Sequence, residues 1–361
     1  MLIQRILPAV VVCLSCLGYL SAGHAQSTDE LELLLLMQAP SEPREVGIGV
    51  KIDQIEFVNQ KAKNFGVVGT LRLEWKDPAL SFDAKDFGRE LRVFEPEAFR
   101  VFTRENSLFY PGFVIKNQQE DRFKQSAAFL VFSSGQAFYL ETFSTVLQAP
   151  QFNFVQFPFD TQKFFVHVVS TYPVNYVKYV PIEGFSTLGD KLGEEEWELS
   201  DSWTEVTTHE GITGLQSSHF SFGFKGRRNL DYYFLRIFVP LVILVFVSWA
   251  TFFLEEYRRR IDMASANLLI FVMFNFAISG DLPRLGYMTF LDFILVAMFI
   301  ITGLIIVFNV MLRRLRINDR DDLARKIDVY ALKWVYPFAY VMVILWAVYQ
   351  FLYQPSLALA G

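Results

Sequence analysis

Cysteine is almost missing: the 361-residue chain has two, Cys13 and Cys16, both within the first twenty positions. A disulfide framework, a cysteine zinc site and a cysteine nucleophile are therefore excluded for everything that follows. Histidine is nearly as scarce, with His24, His167, His209 and His219 scattered along the sequence. There is no HExxH, GxSxG, Walker or glycine-rich phosphate motif, so neither catalytic residues nor a cofactor is expected. Metal ligation by His167 and His219, or by Glu194-Glu195-Glu196, competes with a simpler reading of isolated histidines and a solvated acidic loop. No metal site is expected. Basic charge is short as well: 33 Lys and Arg against 38 Asp and Glu leave a net −5, which argues against a nucleic-acid partner.

Apolar residues are abundant. They make up 52% of the chain, including 38 Phe, too hydropathic for a soluble two-domain enzyme of this length, so part of it belongs in a membrane. The charge divides unevenly. Residues 1–25 hold one Arg and no acid, residues 26–231 hold 20 basic against 29 acidic, and residues 232–361 hold 12 against 9. An acidic front precedes a mildly basic rear.

Arg5, the apolar run 6–20 and the small residues Ser21-Ala22-Gly23-His24-Ala25 follow the order of a secretory signal, expected to be cleaved after Ala25. The competing reading, a membrane anchor, suits the run poorly because it is short and contains Pro8. Hydropathy marks four later segments, about 233–254, 261–278, 290–312 and 335–353, each near the ~20 residues that cross a bilayer. The link between the first two carries Arg258-Arg259-Arg260. The link 313–334 carries five Arg and two Lys against four Asp. The positive-inside rule places both links in the cytoplasm, with the N-terminal domain and the C-terminus outside. The expected division is a signal at 1–25, an exported domain at 26–231 and a four-span domain at 232–361.

Between residues 46 and 228, short apolar runs alternate with turn clusters every eight to twelve residues. Examples are 47–57, 65–75, 126–132, 137–147, 163–169, 175–180 and 219–225, with Ser133-Ser134-Gly135-Gln136 as a hairpin turn. No helix-length amphipathic period stands out except around 29–38. The fold class expected is an all-β extracellular/periplasmic sandwich followed by a four-helix transmembrane domain.

Phe157-Pro158-Phe159-Asp160-Thr161-Gln162 ahead of four spans resembles the pentameric ligand-gated ion channels, or Cys-loop receptors, in their cysteine-free bacterial branch. Pro150 and Phe164 stand where animal members carry the two loop cysteines. Trp75-Lys76-Asp77-Pro78, Glu95-Pro96-Glu97-Ala98, Phe109-Tyr110-Pro111…Asn117, Arg228, Pro240 and Asp281-Leu282-Pro283-Arg284 match further family motifs in order, over about residues 47–353. The resemblance implies a homopentamer in the inner-membrane lipid bilayer that conducts inorganic ions and is opened by an agonist, small molecule or proton. It implies no enzyme.

The same resemblance implies that the second span lines the pore. At 100° per residue Asp262, Ala266, Leu269, Met273, Phe276 and Gly280 share one face. Asp262 is read as an inner carboxylate ring attracting cations, and Leu269, Met273 and Phe276 as apolar rings that gate by dewetting. The alternative for Asp262 is an ion pair with Arg258 or Arg259. Asn267 and Asn275 lie off this face and are expected to bond to neighbouring helices. Cation selectivity is favoured by Asp262 and the acidic outer domain, although three arginines facing the lumen would favour anions.

Agonist loops implied by the resemblance are Lys116-Asn117, 170–176 and the hairpin 210–219. Thr171 stands where amine receptors carry Trp, and Tyr172 and Tyr176 offer either cation–π contacts or ordinary core packing. Coupling to the pore is expected where Phe159 and Asp160 meet Arg228, beside Pro283, Arg284 and the 59–63 turn. A membrane-anchored sensor without channel activity is the alternative function. A membrane-embedded enzyme would have only Asp262 and Asp292 at bilayer depth.

Overall fold

A computed structural model describes residues 43–189, 193, 196–211, 214–279 and 285–354, without the side chains of 332 and 333. The signal-like segment, Gly280, Pro283 and Arg284 lie outside the described residues.

Among the described residues, ten strands form the N-terminal domain: β1 (Arg44–Asn59), β2 (Asn64–Lys76), β3 (Leu91–Phe94), β4 (Phe113–Ile115), β5 (Phe123–Phe132), β6 (Gln136–Gln148), β7 (Thr161–Pro173), β8 (Val177–Pro181), β9 (Trp197–Glu210) and β10 (Gln216–Arg228). They make one six-stranded sheet, β3-β5-β6-β2-β1-β8, and one four-stranded sheet, β4-β7-β10-β9. All pairs are antiparallel except β1 with β8. The sandwich expected from the sequence is present.

Alternation writes the core. Along β6, Ala137, Tyr139, Glu141, Phe143, Thr145 and Leu147 point inward while their neighbours are partly exposed, the two-residue period of a half-buried strand. Phenylalanines fill the space between the sheets: Phe65 meets Phe164 edge-on at 5.0 Å, and Phe164 stacks on Phe224 at 5.1 Å. The β5–β6 turn needs Gly135, whose φ is +79° and whose absent Cβ would lie 2.4 Å from the Asp77 carbonyl oxygen.

Two elements depart from the sequence reading. Pro96–Glu105 is a ten-residue amphipathic helix that buries Phe99 and Thr103, where no helix period is expected from the sequence. β9 lacks apolar alternation because it is an edge strand, exposed at most positions, so no buried face imposes a pattern.

The four spans are Leu230–Phe253, Tyr257–Ser279, Phe290–Ile317 and Tyr336–Tyr353, consistent with a multi-pass membrane protein. The second extends at both ends beyond its hydropathy limits, the first at its start and the third at its end, where the helices continue into the polar interface. The third starts with a capping box between Thr289 and Asp292, which satisfies its first free N–H groups. In the first span a wide π turn, Phe234–Phe238, immediately precedes Pro240, where the missing N–H interrupts the ordinary ladder.

Candidate functional site

The sandwich meets the spans around one buried arginine. Arg228, the last residue of β10, has a fully buried side chain; its Nε donates to Asp160 Oδ1 at 2.9 Å, and Asp160 is 2% exposed. Arg228 Nη1 donates to Glu196 Oε1 at 2.6 Å and to the Tyr233 hydroxyl at 3.0 Å. Its guanidinium lies 4.2 Å from the Trp197 ring centroid and 4.8 Å from that of Phe157. A planar, delocalised cation suits such an aromatic cage, since it stacks while its edge donates. Asp160 also accepts from Gln162, whose amide is held by the Asn153 backbone.

The Asp160 loop reaches three spans. Phe159 lies 6.0 Å from Phe238 of the first span and 5.5 Å from Phe290 of the third. Phe290 N–H donates to the Val155 carbonyl at 2.9 Å, Tyr287 hydroxyl accepts from Phe154 N–H at 3.1 Å, and Gln156 donates to the Phe351 carbonyl of the fourth span at 3.2 Å. The structure thus brings Phe159, Asp160 and Arg228 together, as the sequence suggested. The 59–63 turn joins them through Gln60, which donates to Glu196 at 3.0 Å. A crevice of about 900 Å³ opens beside this turn, bounded by Tyr232, Arg236 and Phe274.

The sequence places Glu196 in a solvated acidic loop. It instead accepts from Arg228, Gln60 and Tyr233. The signal that distinguishes it is the adjoining Trp197, the first residue of β9, which fixes where the loop ends.

In the second span, Arg260, Ala264, Asn267 and Phe271 are buried against the rest of the subunit. Asn267 donates to Ser248 Oγ at 2.6 Å and to the Leu244 carbonyl at 3.1 Å, bonds worth ~0.6–2 kcal/mol between membrane helices. Asn275 is exposed and makes no such bond among the described residues. Asp262, Ala266, Leu269, Met273 and Phe276 are all exposed, Phe276 to 82%. At 3.6 residues per turn the centre of this stripe falls roughly 170° from that of the buried face.

Asp262 forms no ion pair among the described residues, contrary to the alternative with Arg258 or Arg259. Arg259 pairs with Glu256 at 2.9 Å. Arg260 turns inward, donating Nη1 to both Asp328 oxygens at 2.7 and 2.8 Å and Nε to the Leu254 carbonyl.

The expected agonist residues fare differently. Lys116 is exposed and touches His209. Asn117 is committed to the fold: its amide donates to the Gln148 and Phe165 carbonyls and accepts from His167 N–H. Tyr172, for which the sequence leaves cation–π contact and core packing open, is 1% exposed and packs on Phe109 at 5.7 Å, so it belongs to the core. Burial raises its phenol pKa. Thr171 and Tyr176 are partly exposed, and Thr171 is tied to the Gly112 carbonyl. The histidines, scattered in sequence, are not scattered in space. His167, His209 and His219 meet on the outer face of the four-stranded sheet, because the register sets Ser221 beside His167 and His219 beside Thr207. That pairing is invisible without the fold.

Comparisons with known proteins agree with this fold. Residues 35–230 match the family described as the neurotransmitter-gated ion-channel ligand-binding domain. The chain is 26% identical to a proton-gated ion channel of Gloeobacter violaceus over 69% of its own length and 67% of the relative's. It is 24% identical to pH-sensitive chloride channel 2 of Drosophila melanogaster, covering 87% of the chain and 65% of the relative. It is also 24% identical to a glutamate-gated chloride channel of the same fly, covering 69% of the chain and 54% of the relative. The chain therefore spans roughly half to two thirds of these relatives' length. With a ten-strand sandwich seated on four apolar helices, it belongs to the neurotransmitter-gated, or Cys-loop receptor, family of pentameric ligand-gated ion channels.

Proposed function

We propose that the chain forms a homopentameric, agonist-opened channel of a bacterial inner membrane, conducting cations, with the sandwich and the C-terminus in the periplasm. The observation that carries this reading is the second span: the face turned away from its own subunit bears one carboxylate, then successive apolar side chains. Five copies around an axis would make a carboxylate ring below apolar rings, an arrangement that attracts cations and closes by dewetting. Orientation follows from the arginines between the first two spans.

Selectivity is a contest of few charges. Asp328 neutralises Arg260, and Glu256 pairs with Arg259. Arg258 remains, one turn before Asp262. Asp262 sits deeper in the span, further from bulk screening, and the acidic sandwich adds to its pull. Purified protein in a planar bilayer under asymmetric NaCl should give discrete single-channel steps reversing near the sodium potential. Reversal near the chloride potential would refute the selectivity. The absence of steps in Leu269→Ala, whose smaller ring eases opening, would refute the channel.

A further inference from the structure

The outer face of the four-stranded sheet carries a basic cluster that neither the junction nor the second span uses. Lys116 just beyond β4, His167 of β7, His209 of β9 and His219 of β10 meet there. His167 and His219 have ring centroids 5.0 Å apart, and His219 and His209 are separated by 5.7 Å. Lys116 Nζ donates to His209 Nε2. Ser221 Oγ lies 2.9 Å from His167 Nδ1 and 3.4 Å from His219 Nε2, and Thr207 Oγ1 lies 3.1 Å from His219 Nδ1. His167 stacks on Phe165 at 5.3 Å, and Trp203 stands edge-on to Phe165, so an apolar wall backs the cluster.

Among the described residues no carboxylate forms an ion pair with the cluster, although the register sets Glu205 opposite Ser221 on the same face. Burial lowers the pKa of His167, and the charges of Lys116 and His209 lower it further. Burial, then His167, His209 and Lys116, bring His219 down to about 4. Glu205 and Glu210 of β9 are exposed and form no ion pair with the cluster among the described residues, while Lys225 of β10 is taken up by Asp201 at 3.1 Å. Lys163 of β7 adds another cation on this face. Between pH 6.5 and about 4 the unfolded His219 binds a proton that the folded one refuses, so acid destabilises the empty site in that window.

A protonated amine would be repelled by Lys116 and would find Tyr172 buried. A metal ion needs donors aimed at one point, but the ring nitrogens here are turned toward Lys116, Ser221 and Thr207, and no set of three converges among the described residues. We propose that Lys116, His167, His209 and His219 form the receptor site for a small oxyanion, a carboxylate or an inorganic phosphate, which supplies the paired negative charge. The inference rests on the ligand-gated reading, because the cluster lies where the agonist loops join. Lys116 N–H donates to the His167 carbonyl at 2.8 Å, and Val174 N–H donates to the Gln216 carbonyl at 2.8 Å. The bound anion favours protonated imidazoles and clamps β4, β7, β9 and β10 beside the hairpin. Its affinity rises as pH falls, by up to about tenfold per pH unit for each proton taken up.

Calorimetry on the full chain in detergent tests this, with succinate and inorganic phosphate titrated separately at pH 5.5 and 8.0 in buffers of different ionisation heat. Binding of at least one anion should be about tenfold tighter or more at the lower pH, with net proton uptake. The preferred titrant identifies the source. Lys116→Gln, at an exposed position, should weaken binding at least about tenfold without lowering the unfolding temperature, and His219→Gln should reduce proton uptake. Four outcomes overturn the proposal: neither anion binding, binding without proton uptake, binding indifferent to both substitutions, or zinc chloride or choline binding in place of the anions. Calorimetry needs no current, so anion binding and conduction fail separately.

Discussion

Asp160→Ala is expected to abolish agonist-evoked current and most of the assembled protein. Removing the carboxylate leaves Arg228 at zero exposure with Glu196 as its remaining ionic partner. Breaking a buried pair on one side costs ~3–5 kcal/mol, a large share of the ~5–15 kcal/mol that holds a domain folded. The loss falls where the Asp160 loop touches the first, third and fourth spans, so the sandwich loses its rigid hold on the pore even in molecules that fold. Asp160→Asn keeps the shape and one acceptor oxygen, and should recover assembly but not normal agonist sensitivity. Glu196→Gln is the control: its side chain is 32% exposed, and screening by solvent keeps its effect within ~1 kcal/mol. Size-exclusion profiles and currents from the three variants check the ranking. Wild-type currents from Asp160→Ala would show that the junction transmits nothing.

In the proposed channel, Asp262→Lys is expected to invert the selectivity of the pore. A permeating ion roughly 6 Å from each of five carboxylates gains about 0.7 kcal/mol per carboxylate even at the dielectric of water. One substitution changes five charges, and exchanging carboxylate for ammonium turns attraction into repulsion of the same size. The expected reversal potential in asymmetric NaCl moves from the sodium side to the chloride side, and Asp262→Asn gives a reduced, weakly selective conductance. An unchanged reversal potential in Asp262→Lys would place this carboxylate outside the ion path.

The elements legible from the sequence are those on which a solvent acts over many residues. Lipid demands long apolar helices, so all four spans are evident, and a sandwich core demands alternation, so β1, β2, β5, β6, β7 and β10 are evident. β9 has water along most of its length and leaves little trace. Asp160 and Arg228 are foreseeable as a pair only through the motif that contains them, because 68 residues separate them. Arg260 and Asp328 are equally far apart, and with no motif to join them their pairing is unforeseen. Tyr172 shows an open choice that only the fold decides. An aromatic in an agonist loop reads as a ligand contact or as core packing, but its neighbours in β7 alternate inward with it, and burial wins. The histidine cluster depends wholly on strand register, which the sequence leaves open.

The central claim is that the exposed stripe of the second span faces an ion path. Residues after Cys16 contain no cysteine, so replacing Cys13 and Cys16 with serine gives a clean background for Leu269→Cys. During agonist-evoked current in a planar bilayer, a cationic methanethiosulfonate reagent should block Leu269→Cys irreversibly, faster in the open state, and leave the background protein untouched. Current from Leu269→Cys that persists while labelling of the thiol is complete would contradict a pore lined by this face.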